Sequence, residues 1–168
     1  MSKSPSAFDA ALHLLPAPVT VVGVKQGKKL GGLTAAWVTR VSLDPPLLMV
    51  AIGHERHTWG LLFDGTDSAP ETNEFTISVL HENQVETARL FGLQSGRDKD
   101  KWSQIEHDLL GKGVPAVADC AAQYLCRMVN RFTAGDHDCV VGEIISAESV
   151  AGGPALPMRG MEIGRAHV

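Results

Sequence analysis

The segment formed by residues 31–58 constrains the fold of this chain more than any other. It contains two apolar runs of strand length, separated by the pair Pro45-Pro46. Residues 34–41 are rich in β-branched and aromatic side chains, which suits a half-buried strand, and the continuous apolar run 47–52 predicts a strand buried on both faces. Because proline cannot donate a hydrogen bond to a neighbouring strand, we expect the chain to leave the sheet at Pro45-Pro46.

A polar turn follows the second run. Gly53 ends the strand, and Thr58 is suited to cap a short helix over residues 59–63. The start of a helix favours anions, because its free N–H groups and its dipole both attract negative charge. Arg56 and His57 lie beside it, and an arginine can clamp a phosphate with two hydrogen bonds. The residues indicate a phosphate site; the alternative is a solvated turn with ordinary surface charges.

Length and composition favour one soluble globular domain over residues 1–168. The apolar share is 44%, the charged share is 20% and the net charge is −4, without a basic block. Neither a nucleic acid nor a membrane is therefore an expected partner, and no apolar run is long enough to cross a bilayer. The three cysteines form no C-x-x-C pair, so neither a disulfide framework nor a metal site is predicted. The N-terminal apolar patch is too short and polar for a signal peptide, and we expect a cytoplasmic protein.

Periodicity along the chain predicts about six strands and two or three short helices. Their connections are mostly of hairpin length, which favours an antiparallel barrel with helical additions. No G-x-G-x-x-G follows a strand, and neither a P-loop nor a G-x-S-x-G motif is present. Helices are expected at 7–14, 59–63 and 83–91, strands at 19–24, 34–41, 47–52, 75–80, 121–132 and 139–148, a short helix or turn at 102–110, an irregular connection at 111–117, a hairpin tip at 133–138, and surface loops at 64–73 and 92–101.

Four motifs occur in a fixed order along residues 7–148. They are T-A-A-W with V-S-x-x-P-P-L and V-A-I-G-x-x-R-H-T, then F-T-I-S-V-L, then F-G-L-Q-S-G-R-D-K-D-K-W, and finally G-D-H-D-C-V-V-G-E-I. In this combination the chain resembles the flavin reductase-like, FMN-binding split-barrel family, and most closely its flavoredoxin-type members. The resemblance implies a mainly β fold with short helices, built as an antiparallel, Greek-key-like split barrel.

The resemblance also assigns residues to parts of the cofactor. His137 would lie near the flavin ring, where a nicotinamide docks, and is the candidate catalytic residue. The other residues implied are Thr34, Ala35, Ala36 and Trp37 for the isoalloxazine ring; Ser42, Ala51, Ile52 and Gly53 for the ribityl chain and the pyrimidine side; and Arg56, His57, Thr58, Ser95 and Lys101 for the phosphate. From the residues alone, the loop that carries Ser95 and Lys101 is equally well interpreted as a solvated loop.

Two features of the sequence depart from the family pattern. Some relatives have an asparagine just before the T-A-x-W run, where this chain has Gly31 and Gly32. The aromatic residue often found near the C-terminus is absent from the final residues P-M-R-G-M-E-I-G-R-A-H-V. One hydrogen bond to the flavin and one wall of the pocket are therefore expected to differ here.

The function implied by the resemblance is an NAD(P)H-dependent flavin oxidoreductase. FMN is the expected cofactor, FAD is possible, and NADH or NADPH is the co-substrate. A homodimer with FMN near its interface is the expected assembly, with a redox partner protein as a possible acceptor. Two alternatives stay open: a non-catalytic FMN carrier that relays electrons between proteins, and a split barrel that binds haem or another ligand.

Overall fold

The computed structural model describes residues 6–63, 73–149 and 153–158, and antiparallel strands dominate it. The elements in chain order are α1 (Ala7–Leu12), β1 (Thr20–Gln26), β2 (Lys29–Ala35), β3 (Val38–Ser42), β4 (Leu47–Gly53), α2 (His57–Phe63), β5 (Glu74–Val79), α3 (Val85–Leu93), a 3-10 turn (Trp102–Gln104), β6 (His107–Leu110), β7 (Val114–Val117), β8 (Ala122–Ala134) and β9 (His137–Ser149). The predicted mainly β, antiparallel architecture is confirmed. None of the described helices is long and apolar enough to cross a membrane.

Seven strands form one sheet in the order β2-β1-β5-β8-β9-β4-β3. The two edge strands, β2 and β3, follow each other in sequence and are joined only by Ala36 and Trp37. In a flat sheet these edges would lie about 29 Å apart, at about 4.8 Å per strand. The link spans at most about 11 Å, at 3.8 Å per Cα step. The sheet must therefore be rolled into a barrel, with Ala36 and Trp37 at the seam between β2 and β3.

The apolar faces of the strands fill the inside of this barrel. Val22, Val50, Ile52, Phe75 and Phe63 are each fully buried in one continuous cluster, to which α2 contributes Phe63. A second cluster joins α3, the 3-10 turn and the segment 153–158. Backbone hydrogen bonds attach that segment to the ends of the sheet strands: Val19 N donates to Leu156 O, and Leu156 N donates to Leu80 O.

The prediction of a single strand over residues 34–41 is wrong. The strand β2 ends at Ala35 and β3 begins at Val38, on opposite edges of the sheet. The run keeps its β-favouring composition across the break, so composition alone does not reveal the change of edge. The run 47–52 is not buried on both faces either: Leu47, Met49 and Ala51 alternate with buried residues and are only half-buried.

The prediction for residues 102–117 is confirmed only at its start, where the 3-10 turn fits the expected short helix or turn. From His107 onward it is wrong, because the chain forms a hairpin in which Leu109 pairs with Pro115. Gly111 and Gly113 make this turn with φ values of 50° and 85°. Proline is tolerated because the hairpin is a two-stranded sheet with open edges.

The helices begin or end differently from the prediction. Ser6 and Asp9 form a capping box at the start of α1, but the helix ends at Leu12, earlier than predicted, and buries none of its residues. The helix α2 begins at His57, so Thr58 lies in its first turn and the prediction of Thr58 as N-cap is wrong. The helix α3 runs two residues later than predicted. Nearly all of the predicted loop 64–73 lies outside the described residues.

Candidate functional site

Two adjoining cavities open at the seam of the barrel. The larger has a volume of about 1750 Å³ and the smaller about 670 Å³. Both are lined by the residues that join β2 to β3 and by the facing end of β4. The residues lining both cavities are Leu33, Ala36, Trp37, Ala51, Glu55 and Arg56. The half-buried face of β4 is thus a cavity wall, which explains why that strand is not buried on both sides.

The wall at the seam is flat and largely apolar. Ala36 and Ala51 present only methyl groups, and Met49 extends the wall along β4. The Trp37 side chain is 47% exposed, although indole is one of the largest apolar groups. Its ring lies 4.8 Å from the ring of His137, centroid to centroid. The small side chains of Ala36 and Ala51 beside the exposed Trp37 ring leave room for a planar ligand.

The cationic corner, formed by Arg56, His57, Arg97 and Lys101, lies at one end of the larger cavity. Burial lowers the pKa of His57, and the positive charges of Arg97, Lys101 and Lys29 lower it further. The loop 94–97 packs closely over this corner, since a Cβ atom on Gly96 would lie 3.1 Å from His57 Cδ2. Positively charged groups that lower one another's pKa form a site suited to a multiply charged anion.

Lys101 is the most buried cation of the corner, with 5% of the residue exposed. Its ammonium donates to Phe91 O at 3.3 Å and to Gln94 O at 3.0 Å, so it caps the carbonyl end of α3. Burial, and then the charge of Arg56, lower the pKa of Lys101 to about 8. An ammonium has three donors, and two are used here, which leaves one for an anion in the cavity.

Thr58 and Ser95 complete the lining of the corner. Thr58 is 2% exposed in the first turn of α2. The Ser95 hydroxyl accepts a hydrogen bond from Arg97 N at 3.2 Å, which shapes the loop as a tight turn. All five predicted phosphate residues therefore lie around one cavity, together with Arg97, which the site prediction did not include.

Of the residues predicted for the flavin ring and ribityl chain, some line a cavity and others do not. Ala36, Trp37 and Ala51 line both cavities, while Gly53 and the buried Thr34 and Ala35 line the smaller one. The Thr34 hydroxyl donates to Ala88 O at 2.7 Å, so its hydrogen is already used inside the protein. Ile52 is fully buried in the barrel core and lines neither cavity. Ser42 lies at the end of β3 remote from Trp37 and lines neither cavity.

His137 lies in the wall of the smaller cavity, at the tip of the β8–β9 hairpin. Its Nδ1 atom donates to Asp136 Oδ1 at 2.6 Å. This hydrogen bond, and the charge of His137, lower the pKa of Asp136 below the usual aspartate value. The proton on Nδ1 leaves Nε2 as the second polar atom of the ring.

A buried carboxylate beside this wall was missed by the sequence analysis. Asp138 is 1% exposed and accepts from His54 Nε2 at 2.9 Å, Thr133 Oγ1 at 2.8 Å and Trp59 Nε1 at 2.7 Å. Burial acts to raise the pKa of Asp138, but these three hydrogen bonds and the charge of Arg131 outweigh it and keep the pKa below its usual value. The sequence signal was an aspartate directly before the apolar run of β9.

The two glycines that depart from the family pattern lie under the larger cavity. A Cβ atom on Gly32 would lie 2.9 Å from both Phe91 and Trp102. A Cβ atom on Gly31 would collide with Leu61, and Gly31 O accepts from Trp102 Nε1 at 2.9 Å. Glycine is therefore required here by close packing of α2, α3 and the 3-10 turn against β2.

The comparison with known protein families is decisive. The model of the flavin reductase like domain matches residues 12–160. The chain belongs to this family. It is 33% identical over 159 residues to the NADH:riboflavin 5'-phosphate oxidoreductase of Streptomyces pristinaespiralis, an alignment covering 91% of this chain and 81% of the relative. It is also 34% identical to an uncharacterized protein of Archaeoglobus fulgidus, over 67% of this chain and 62% of that protein.

Solved structures of the family share the fold. The FMN-binding protein of Thermus thermophilus, solved with bound p-hydroxybenzaldehyde, aligns with a TM-score of 0.79 and 30% identity over 96% of this chain and 90% of that one. The predicted split-barrel fold is thereby confirmed. Among four of the curated relatives, the chain spans between 44% and 81% of their length, and for three of them it spans less than two thirds.

Proposed function

We propose that this protein is a flavin reductase that uses bound FMN to oxidise NADH and delivers the electrons to a flavin or another small acceptor. The observation that carries the proposal is the continuity of one cavity between the apolar wall at Trp37 and the cationic corner at Arg56. A planar apolar ring and a phosphate group are the two ends of FMN. The relative from Streptomyces pristinaespiralis, named for an NADH and riboflavin 5'-phosphate reaction, aligns across both regions.

The cationic corner fits the phosphate end. Arg56, Arg97 and His57 surround the larger cavity, and Lys101 has one donor left for a ligand. Burial lowers the pKa of both His57 and Lys101, and repulsion by neighbouring cations lowers it further; a phosphate dianion there would offset that repulsion. Charge-assisted hydrogen bonds of this kind are roughly twice as strong as neutral ones. We assign Thr58 and Ser95 to the same end because both line this cavity.

The wall at the seam fits the ring end. Ala36 and Ala51 leave space for a planar ligand, and Trp37 offers a face for packing. When bound, FMN supplies the redox chemistry by accepting hydride from the reduced nicotinamide. The chain itself would orient the two reactants, with the rings of Trp37 and His137 in contact at 4.8 Å between centroids. Asp136 holds the ring of His137 in one orientation, which makes His137 the candidate for contacting the nicotinamide.

The test is direct. The purified protein should be yellow, and mass spectrometry of the extracted ligand should identify FMN. Steady-state oxidation of NADH should exceed background when FMN is added as acceptor. A Soret band would instead support haem binding and contradict the proposal.

A non-catalytic FMN carrier that passes electrons to a protein partner is the second candidate function. The 47% exposure of Trp37 at the mouth of the cavity favours it, since an exposed aromatic ring suits contact with another protein. A carrier would contain FMN but would not oxidise NADH above background. Turnover with free FMN therefore separates the two functions.

We also propose that the chain forms a single domain that assembles as a homodimer. The helix α1 buries none of its residues, and Phe8, Leu14 and Leu15 are 71%, 79% and 69% exposed. Leu14 and Leu15 line the larger cavity, so a second copy covering them would also cover the ligand. Light scattering should give twice the mass of the 168-residue chain.

The three described cysteines are free and buried, which agrees with a reducing compartment such as the cytoplasm.

A further inference from the structure

A second histidine, His54, lines the smaller cavity together with His137. It lies in the turn after β4, and its backbone N–H donates to Asp136 O at 3.1 Å. This bond ties the turn that leads to Arg56 to the hairpin tip that carries His137. The His54 side chain is 39% exposed, so its ring is accessible from the cavity.

Asp138 fixes the orientation of the His54 ring. The carboxylate accepts from His54 Nε2 at 2.9 Å and is itself held by Trp59 and Thr133. The Trp59 ring also packs edge-on against His54 at 5.8 Å between centroids. A carboxylate held in its charged form by these donors is an acceptor only, so the Nε2 atom of His54 must carry the proton.

The remaining nitrogen of His54 is therefore an acceptor in the neutral ring. Nδ1 forms no hydrogen bond or ion pair within the part of the chain that the structure describes. His137 shows the mirror-image arrangement, because its Nδ1 carries the proton and donates to Asp136. The smaller cavity is thus bordered by two imidazole rings whose protons both point to aspartates and whose second nitrogens are left for a ligand.

We propose that His54 is a ligand-binding residue of this site, and that its Nδ1 accepts a hydrogen bond from an amide-type N–H of the bound redox ligand. This inference rests on the proposed function. Both reactants carry such a group: the flavin has an imide N–H, and the nicotinamide has a carboxamide N–H₂. Asp138 is the positioning residue, since it acts on the ligand only by fixing the tautomer and orientation of His54.

Two substitutions test the contributions of the two ring nitrogens of His54 separately. His54→Gln places an amide nitrogen near the position of Nε2, so it keeps the bond to Asp138 and loses the group at Nδ1. His54→Asn places an amide oxygen near the position of Nδ1 and loses the bond to Asp138. We expect the Gln variant to unfold at the wild-type temperature but to bind its ligand about 5- to 10-fold more weakly, as for one hydrogen bond. The Asn variant keeps an acceptor near Nδ1 but loses the bond that orients it, so it should show a lowered melting temperature and a smaller loss of affinity than the Gln variant.

Two titrations identify which N–H is bound. FMN is titrated into the apoprotein without nicotinamide, and NAD⁺ is titrated into the FMN-loaded protein. A weakened FMN affinity in the Gln variant assigns the flavin imide, and a weakened NAD⁺ affinity alone assigns the carboxamide. Wild-type affinities for both ligands in the Gln variant would overturn the inference, as would equal losses in the Gln and Asn variants.

One further measurement keeps the test conclusive if the Asn variant does not fold. In wild-type protein labelled with ¹⁵N, the His54 Nδ1 resonance should have the shift of an unprotonated nitrogen and should move when the ligand binds. An unmoved resonance in protein that does bind FMN and NAD⁺ would overturn the inference and leave the proposed function intact. Wild-type protein that binds neither ligand would contradict the proposed function itself.

Discussion

The cationic corner and the histidine wall, formed by His54 and His137 in the smaller cavity, differ in how their charged groups are paired. In the corner, burial lowers the pKa of His57, and the positive charges of Arg97 and Lys101 lower it further. In the wall, each histidine donates to its own aspartate, His54 to Asp138 and His137 to Asp136. The corner gathers four cationic side chains around one cavity, and an anion bound there would stabilise them. The histidines of the wall are already paired with aspartates and present polar atoms in fixed orientations. The corner is therefore suited to binding a ligand strongly, and the wall is suited to orienting it.

The largest effect should come from removing the corner's direct anion contacts. The double variant Arg56→Ala, Thr58→Ala should weaken FMN binding by about 100-fold or more, since hydrogen bonds to charged groups contribute about 1.5–3 kcal/mol each. Fluorescence titration measures the Kd. The protein should stay folded, and Arg127→Ala, which breaks an exposed ion pair with Glu143, is the matched control. Unchanged FMN occupancy in the double variant would place the phosphate elsewhere.

A smaller effect should follow from pH. The pKa of Lys101 is lowered to about 8, so the free protein loses this positive charge as the pH rises above 8. Binding of the phosphate then requires uptake of a proton, and FMN affinity should fall about 3- to 10-fold between pH 7 and pH 9. Riboflavin, which lacks the phosphate, should show no such fall, and Lys101→Met should abolish it. The opposite slope would contradict the role of Lys101.

The same pKa shift predicts the sign of a stability change. The unfolded chain keeps the proton of Lys101 up to its ordinary pKa of 10.5, whereas the folded apoprotein releases it near pH 8. The unfolded state therefore binds more protons between these values, and this group makes the free energy of unfolding rise with pH there. Urea titrations of wild type and Lys101→Met at pH 7.5 and pH 9.5 measure the difference. An equal pH dependence in the two proteins would show that Lys101 is not desolvated.

A still smaller effect should come from the close packing of the loop over the corner. Gly96→Ala places a methyl group 3.1 Å from His57 Cδ2, so the loop must move outward by a few tenths of an ångström. We expect FMN affinity to fall about 3-fold, because the hydrogen bonds of the corner lengthen. Gly60→Ala is the matched control, since a Cβ atom there meets nothing within 4 Å. Equal affinities in the two variants would mean that this loop does not touch the ligand.

The smallest effect should appear on the histidine side. Thr133→Val removes one of the hydrogen bonds to Asp138 while the others remain. Thermal unfolding should show a loss of about 1 kcal/mol, the usual contribution of one hydrogen bond. FMN affinity should stay within about 2-fold of wild type, because Asp138 still holds His54. Thr133→Ser, which keeps the hydroxyl, should restore the stability.

Local patterns predicted five of the seven strands of the barrel, but they merged parts of β2 and β3 into one strand and did not predict how the barrel is joined. The continuous β-favouring run at 34–41 conceals the seam at Ala36 and Trp37, because a change of sheet edge depends on the pairing of distant strands. The hairpin β6–β7 was missed because Pro115 argues against a strand, and only the open edges of a two-stranded sheet tolerate it.

The same distinction between local and long-range sequence information applies to the candidate site. The grouping of the residues proposed for the phosphate was predictable because most of them are adjacent in sequence, in the turn that holds Arg56, His57 and Thr58. The packing reason for Gly31 and Gly32 depends on Phe91, Trp102 and Leu61, which are remote in sequence. The pairing of His54 with Asp138 joins residues 84 positions apart and leaves no local signal.

The most direct test of the central claim is a comparison of FMN and riboflavin binding to the purified protein by titration calorimetry. The two ligands share the ring and differ only in the phosphate. With the phosphate held by Arg56 and Lys101, FMN should bind at least about 100-fold more tightly than riboflavin, and Arg56→Ala should remove most of the difference. Equal affinities for the two ligands in the wild-type protein would contradict the account.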